Sequence, residues 1–286
     1  QCGGSGTTGG CLSAGMVQVE DSTLTFRDSR SSQNGACISV RGDSGGLHTE
    51  NQSFAPTDFE RNLPPRYALA QAFSLAPNVS NQVVRSRLDL SLCSSLGDGG
   101  AVWVHDGMVF QDTDLSANVT NAVGSGGVVA AGGALELIRS RLTVANASAG
   151  GDGGSILAGS FSIQASSLTM NDSASAGSGG ALAGGLVSVR SGSNVSVASS
   201  YAAAGGGAIA AAGLFVADSN CTVVGTSAAT GGALYFHNDL VVESGLLTVT
   251  GAQAASSESA GSSGGIVRVI SGDIVFRSGS SVVMSD

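Results

Sequence analysis

Residues 179–197 read Gly179-Gly180-Ala181-Leu182-Ala183-Gly184-Gly185-Leu186-Val187-Ser188-Val189-Arg190-Ser191-Gly192-Ser193-Asn194-Val195-Ser196-Val197, a glycine pair followed by three short apolar runs. The runs are Ala181-Leu182, Leu186 to Val189 and Val195 to Val197, each bounded by Gly, Ser or Asn. Runs this short cannot make a helix, and their β-branched content marks them as strands. Serine alternates with valine in the last two, a period of two that sends one set of side chains inward and the other outward.

The same unit recurs along the chain. A Gly-Gly-small corner stands at Gly99-Gly100-Ala101, Gly126-Gly127-Val128, Gly153-Gly154-Ser155, Gly206-Gly207-Ala208, Gly231-Gly232-Ala233 and Gly264-Gly265-Ile266. From second glycine to second glycine the spacings are 27, 27, 26, 27, 25 and 33. Gly10-Cys11-Leu12 and, 25 residues later, Gly35-Ala36-Cys37 extend the series backwards. Three short strands per coil of about 26 residues predict an all-β, right-handed parallel β-helix. Coils about 4.8 Å apart would stack nine or so deep into a rod roughly 40 Å long. One coil cannot bury its own apolar face, but a stack can. A β-sandwich, with turns every 8–12 residues, fits the fixed period less well.

The GGA[ILV] corner at this period resembles the repeats of polymorphic outer-membrane proteins and related pectin-lyase-like surface proteins. The resemblance covers residues 97–286 and part of 9–42, with Leu142-Thr143-Val144-Ala145-Asn146 the nearest equivalent of that family's FxxN element. It implies a β-helix displayed at a cell surface.

Departures from the period divide the chain. Residues 1–42 hold the first coils and 97–286 the regular ones. Residues 43–96 carry all four prolines (Pro56, Pro64, Pro65, Pro77) with Phe54, Phe59, Phe73 and Tyr67. That composition predicts one long side insertion, either a functional lobe or a shielding flap. A milder insertion falls at 252–263. The chain starts at Gln1 without a visible signal peptide, as a processed product or an excerpt would. It ends at Ser281–Asp286 in strand-like sequence with no cap in view. The expectation is that coils continue or that this end stacks on a partner, possible end-to-end self-association included.

Composition narrows the function classes. The chain has 286 residues, 44 Gly, 46 Ser and 42% apolar residues. It therefore has enough Val, Leu and Ile to fold, around a core of small side chains. All twelve basic residues are Arg and the net charge is −9, so nucleic acid is not an expected partner. The apolar run Tyr201–Ala217 is Ala- and Gly-rich and in phase with the repeat, so no membrane span is expected. Seven of twelve Asn stand in N-x-[ST] sequons: Asn51, Asn78, Asn118, Asn146, Asn171, Asn194 and Asn220. Chance would give roughly two or three. The last five recur once per coil beside the third run. They form either a column of N-linked glycans or an inward asparagine ladder, since an inward Asn cannot carry a glycan. Among the five cysteines, Cys2 with Cys11 and Cys37 with Cys93 are disulfide candidates, which leaves Cys221 over.

Catalytic chemistry has thin support. Asp112 and Asp114, with His105 and Asp106 upstream, could set two carboxylates on one strand face for acid–base work on a glycan. An ordinary polar turn explains them as well, and His237-Asn238-Asp239 also reads as a turn. The cysteine spacings match no zinc site, Asp98 and Asp152 do not recur as calcium repeats do, and no cofactor is expected. The expected function is a non-enzymatic structural or adhesive module of a larger glycosylated extracellular or cell-surface assembly. Its partners would be other chains of that assembly. The alternative is a carbohydrate-active or carbohydrate-binding β-helix.

Overall fold

The computed structural model describes residues 11–14, 16–40, 81–254 and 265–285. They form a parallel β-solenoid without helices, built from two sheets of 14 and 12 strands. Every strand pairing is parallel, and nine strands lie along the main path of each sheet. Among the described residues no helix is long and apolar enough to cross a membrane.

One coil shows the construction. The strand Val129–Ile138 belongs to the first sheet and Arg141–Ala149 to the second. The next coil repeats them as Ile156–Gln164 and Ser167–Ser175. The three apolar runs of each period are therefore distributed over two sheets. The first two runs share one strand, bent where the register shifts between Ala131 and Ala134. The third continues past a kink at Asn146 into Ala147-Ser148-Ala149, a stretch too poor in large side chains to register as a run.

Three columns of left-handed residues turn the chain. At the glycine corner, the first glycine supplies positive φ, 67° at Gly126, and the second supplies room. A Cβ on Gly127 would overlap the carbonyl oxygens of Gly154 and Ser148 in the neighbouring coil. Opposite stands a hydroxyl corner, where Asp112, Arg139, Ala165 and Asp218 take φ of 47–51° just before Thr113, Ser140, Ser166 and Ser219. The backbone N–H of Thr113, Ser140, Ser166 and Ser193 donates to the hydroxyl of Ser140, Ser166, Ser193 and Ser219 one coil on, at 3.0, 2.9, 3.2 and 3.1 Å. These residues are buried, so each hydroxyl satisfies an N–H that water cannot reach. The third column is the kink of the second sheet: Leu92, Val119, Asn146, Asp172 and Ser199.

Between the sheets lies a core of stacked like residues. Leu88, Leu115, Leu142, Leu168, Val195, Cys221 and Leu247 sit in one register row and are buried. Burying each such side chain contributes about 1.5–3 kcal/mol. Cys221 fills an aliphatic slot in this row, and burial pushes its thiol pKa up to about 12. Cys37, next to its glycine corner, and Cys93, on Arg87–Ser95, are joined as a disulfide across the core, their Cα atoms 6.5 Å apart. The equivalent pair two coils on from Cys93 is apolar (Val128 and Ala147), and a coil further it is Ser155 hydrogen-bonded to Ser173. Cys11 occupies the same position in the first coil, its Sγ 3.1 Å from Ser29 Oγ. Its suggested partner Cys2 lies outside the described residues.

The last part of the predicted insertion belongs to the solenoid. Residues 81–96 are regular solenoid: Asn81–Val84 pairs in the first sheet and Arg87–Ser95 in the second. The prolines and aromatics end by Pro77, and Leu88 and Leu90 already stack in the core. Ile38–Val40 and Asn81–Val84 lie in the first sheet on the two sides of the bend that carries the register shift in later coils. The stretch 43–80 itself lies outside the described residues, as do 255–264.

Candidate functional site

The second sheet presents the sequons. Asn118, Asn146, Asn194 and Asn220 are exposed and Asn171 is half-buried, so none of the five points into the core. They occupy more than one row. Asn194 and Asn220 pair at the strand start. Asn118 and Asn171 share a mid-strand row through Ala145, and Asn146 stands at the kink beside it. Asn146 Nδ2 donates to Asn118 Oδ1 at 3.1 Å. Asn51 and Asn78 lie outside the described residues.

The acidic cluster does not assemble as a carboxylate pair. Asp112 is the left-handed corner residue between Met108–Gln111 and Asp114–Ala122, so it shares no strand face with Asp114. Arg139, one coil on, grips it with two bonds of 2.7 and 2.8 Å and holds its carboxyl below the ordinary range. A carboxyl held ionised by a guanidinium is a poor proton donor at neutral pH. Asp114 opens its strand in register with Arg87 and Arg141. His105 and Asp106 belong to the bend of the first sheet, at the far end of the strand Met108–Gln111 from Asp112.

Asp98 and Asp152 prove to be parts of a corner ladder. Asn34 Oδ1 accepts from the N–H of Asp98 (2.8 Å) and Asp98 Oδ1 from that of Ser125 (2.7 Å). Ser125 Oγ accepts from Asp152 (3.1 Å) and Asp152 Oδ1 from Ser178 (2.6 Å). The recurring feature is a short acceptor rather than aspartate, which the sequence pattern concealed.

The outer surface of the first sheet carries a trough. Its outward row in register is Trp103, Ala130, Leu157, Ala183, Ala210 and Tyr235. Two residues along each strand, His105, Gly132, Gly159 and His237 fall on the same outward side. Tyr235 and His237 wall one end, in an edge contact at 5.6 Å, with the Arg268 guanidinium 5.8 Å over the tyrosine ring. Trp103 and His105, their ring centroids 6.0 Å apart, stand further along the same outward side and do not line the depression. The rest of its lining is alanine and glycine with Leu157, and Asp152 and Ser178 border it.

The sheet is creased along this trough. Ala130, Ala183, Ala210 and Ala212 point outward, yet they are only 4–7% exposed. Beyond the bend, Glu136 and Ser188 alternate with core Leu135, Leu137, Val187 and Val189, so they too point outward, at 7% and 1% exposure. Glu136, Ser162 and Ser188 form a row on three successive strands. Among the described residues neither an ion pair nor a hydrogen bond holds the Glu136 carboxyl, and burial pushes its pKa up. Ser188 Oγ is buried without a hydrogen-bond partner. At the edge of the row the Arg190 guanidinium stacks on Phe215 at 4.8 Å.

Trp103, Glu136, Ser188 and Tyr235 were not singled out by the sequence. The available signal was small residues at most outward positions between Trp103-Val104-His105 and Tyr235-Phe236-His237, Leu157 excepted, legible only once the register is known. The class that fold and site define is a parallel β-solenoid with one grooved outer face. No protein-family model, curated protein or solved structure matches this chain.

Proposed function

We propose that the chain is a non-enzymatic structural or adhesive module of a larger glycosylated extracellular or cell-surface assembly, contacting other chains or surfaces through the grooved first sheet. The observation carrying this reading is the division of faces. The five described sequons look outward from the second sheet, and the trough opens on the first. Glycans on one face would keep it solvated and leave the other for contact. The likeness of the glycine corner to surface-protein repeats supports the same setting.

The test is adhesion of beads coated with chain secreted from a eukaryotic host. Beads should adhere to a cell layer, keep adhering after enzymatic deglycosylation, and lose adhesion when Ala183→Trp fills the trough. Beads that fail to adhere, or that adhere equally well with Ala183→Trp, would contradict the reading. A carbohydrate-active or carbohydrate-binding role is the second reading. It draws on the trough rather than on Asp112 and Asp114, whose double alanine variant should leave glycan binding unchanged.

A further inference from the structure

Leucine and valine are poorly suited to left-handed backbone, yet Leu92 (φ 54°) and Val119 (φ 52°) hold it at the kink of the second sheet. In the next two coils the same place carries Asn146 and Asp172, which adopt that conformation more readily. Four residues on, Leu96 and Val123 stand where those coils have Gly150 and Ala176. All four side chains face solvent. At 65% and 60% exposure, Leu96 and Val123 are the barest large apolar side chains among the described residues. Apolar surface gathered at four such places in two adjacent coils calls for a cover. We propose that the cover is this chain's own N-glycan at Asn118, its first sugar rings lying on Leu92 and Val119 and reaching toward Leu96 and Val123.

Asn118-Val119-Thr120 is a complete sequon set at the edge of the patch. Asn118 pairs in register with Ser91, so its carboxamide emerges beside Leu92 and Val119. At the kink, Asn118 and Val119 are two successive exposed residues, which puts the attachment point and the first apolar side chain on the same side. Asn146 Nδ2 donates to Asn118 Oδ1, a bond that engages the oxygen and leaves outside it the nitrogen that takes a glycan. Strand geometry sets Leu92 about 4.8 Å from Val119, and Val123 at most about 13 Å further along. Between them the outward residues are Ser94 and Asn121, in register with each other. The N-acetylhexosamine rings at the base of an N-glycan match this surface. Their C–H faces and N-acetyl methyl groups shed water against leucine and valine, and their hydroxyls and amides reach Ser94 and Asn121.

Not every sequon has such a bed. Asn194 is flanked across the sheet by Ser167 and Asn220, so a glycan there meets polar neighbours only. A second copy of the chain is a poorer cover for the patch, because a glycan at Asn118 would stand between the copies. The inference rests on the glycosylated reading of the second sheet. It adds what one glycan does there: the sugar at Asn118 packs as part of the fold, where that at Asn194 only solvates.

The experiment uses the full chain secreted from a eukaryotic host, read by thermal melts and site-resolved glycopeptide mass spectrometry. The variants are Asn118→Gln and, as control, Asn194→Gln, each made in the parent and in a Leu92→Ser, Leu96→Ser background. Asn118 should carry a glycan, and Asn118→Gln should lower the melting midpoint by about 2–4 °C, more than Asn194→Gln does. In the serine background that extra loss should vanish. Enzymatic removal on the folded chain keeps the test open if Asn118→Gln is not secreted. Trimming every glycan to its first ring should then preserve most of the midpoint, and complete removal should lower it in the parent more than in the serine background. Bare Asn118 beside glycosylated Asn194 and Asn220 overturns the inference and leaves the glycosylated reading standing. So does a loss no greater than at Asn194, or one that the serine background leaves unchanged. A glycosylated chain that dimerises in light scattering, and turns monomeric with Leu92→Ser, Leu96→Ser, also overturns it, with a second copy as the cover. Unmodified asparagine at every sequon overturns both readings.

Discussion

Glycine and glutamate positions set the residue-scale behaviour. The paired glycines do different work. Gly126 needs its left-handed backbone, while Gly127 needs its missing side chain because the next coil's backbone passes directly against it. Gly127→Ala should cost about 1–3 kcal/mol in urea unfolding, through overlap with backbone that cannot step aside. Gly192 also has positive φ (73°), but nothing lies within 4 Å of its Cβ position. Gly192→Asn should therefore be nearly silent, since Asn tolerates left-handed backbone. Glu136 makes a prediction with a definite sign. Its pKa is raised in the folded state, so ionisation opposes folding. The penalty is absent below the ordinary carboxyl pKa and complete above the raised folded value. Glu136→Gln should raise the melting temperature at neutral pH and lose that advantage when the pH falls below the ordinary carboxyl range. An advantage equal at both pH values would rule out the unpartnered carboxyl as its source. Cys221, buried in the aliphatic row, should resist alkylation at pH 8 until the chain unfolds.

At the scale of elements, the hydroxyl corner is the least advertised and most regular device. Ser140→Ala would strip the acceptor from the Thr113 N–H and cost about 1–3 kcal/mol, read from chemical unfolding. Ser140→Thr, which reproduces the residue found at 113, should restore most of it. The repeat itself was legible because a Gly-Gly-small unit returns at a nearly fixed spacing, even though Gly132-Gly133 and Gly184-Gly185 add pairs away from the corner. The second corner was not, because Arg85-Ser86, Asp112-Thr113, Ala165-Ser166 and Asp218-Ser219 vary in the left-handed residue and share only a hydroxyl. The same limit applied to the strands. Ala147-Ser148-Ala149 pairs as well as any strand, but its small side chains gave no apolar signal. The crease was invisible for a further reason: outward Ala130 and Ala183 read as ordinary small residues, and only the fold shows them recessed. Conversely, Asp112 and Asp114 stood out as a chemical motif, and a two-residue spacing across a corner separated them.

The whole molecule is a parallel β-solenoid whose five described sequons look outward from the second sheet while the depression opens on the first. Its first coils are stitched by Cys37–Cys93, which closes 56 residues of chain. In the chain-entropy model that crosslink stabilises by about 4 kcal/mol, and a Cys37→Ala, Cys93→Ala variant should lose amide protection first in the coils before residue 100. The division of faces is the central claim, and occupancy of the sequons tests it most directly. Site-resolved glycopeptide mass spectrometry of native material should find N-glycans on the exposed Asn118, Asn146, Asn194 and Asn220. Uniformly unmodified asparagine at those four positions would contradict it.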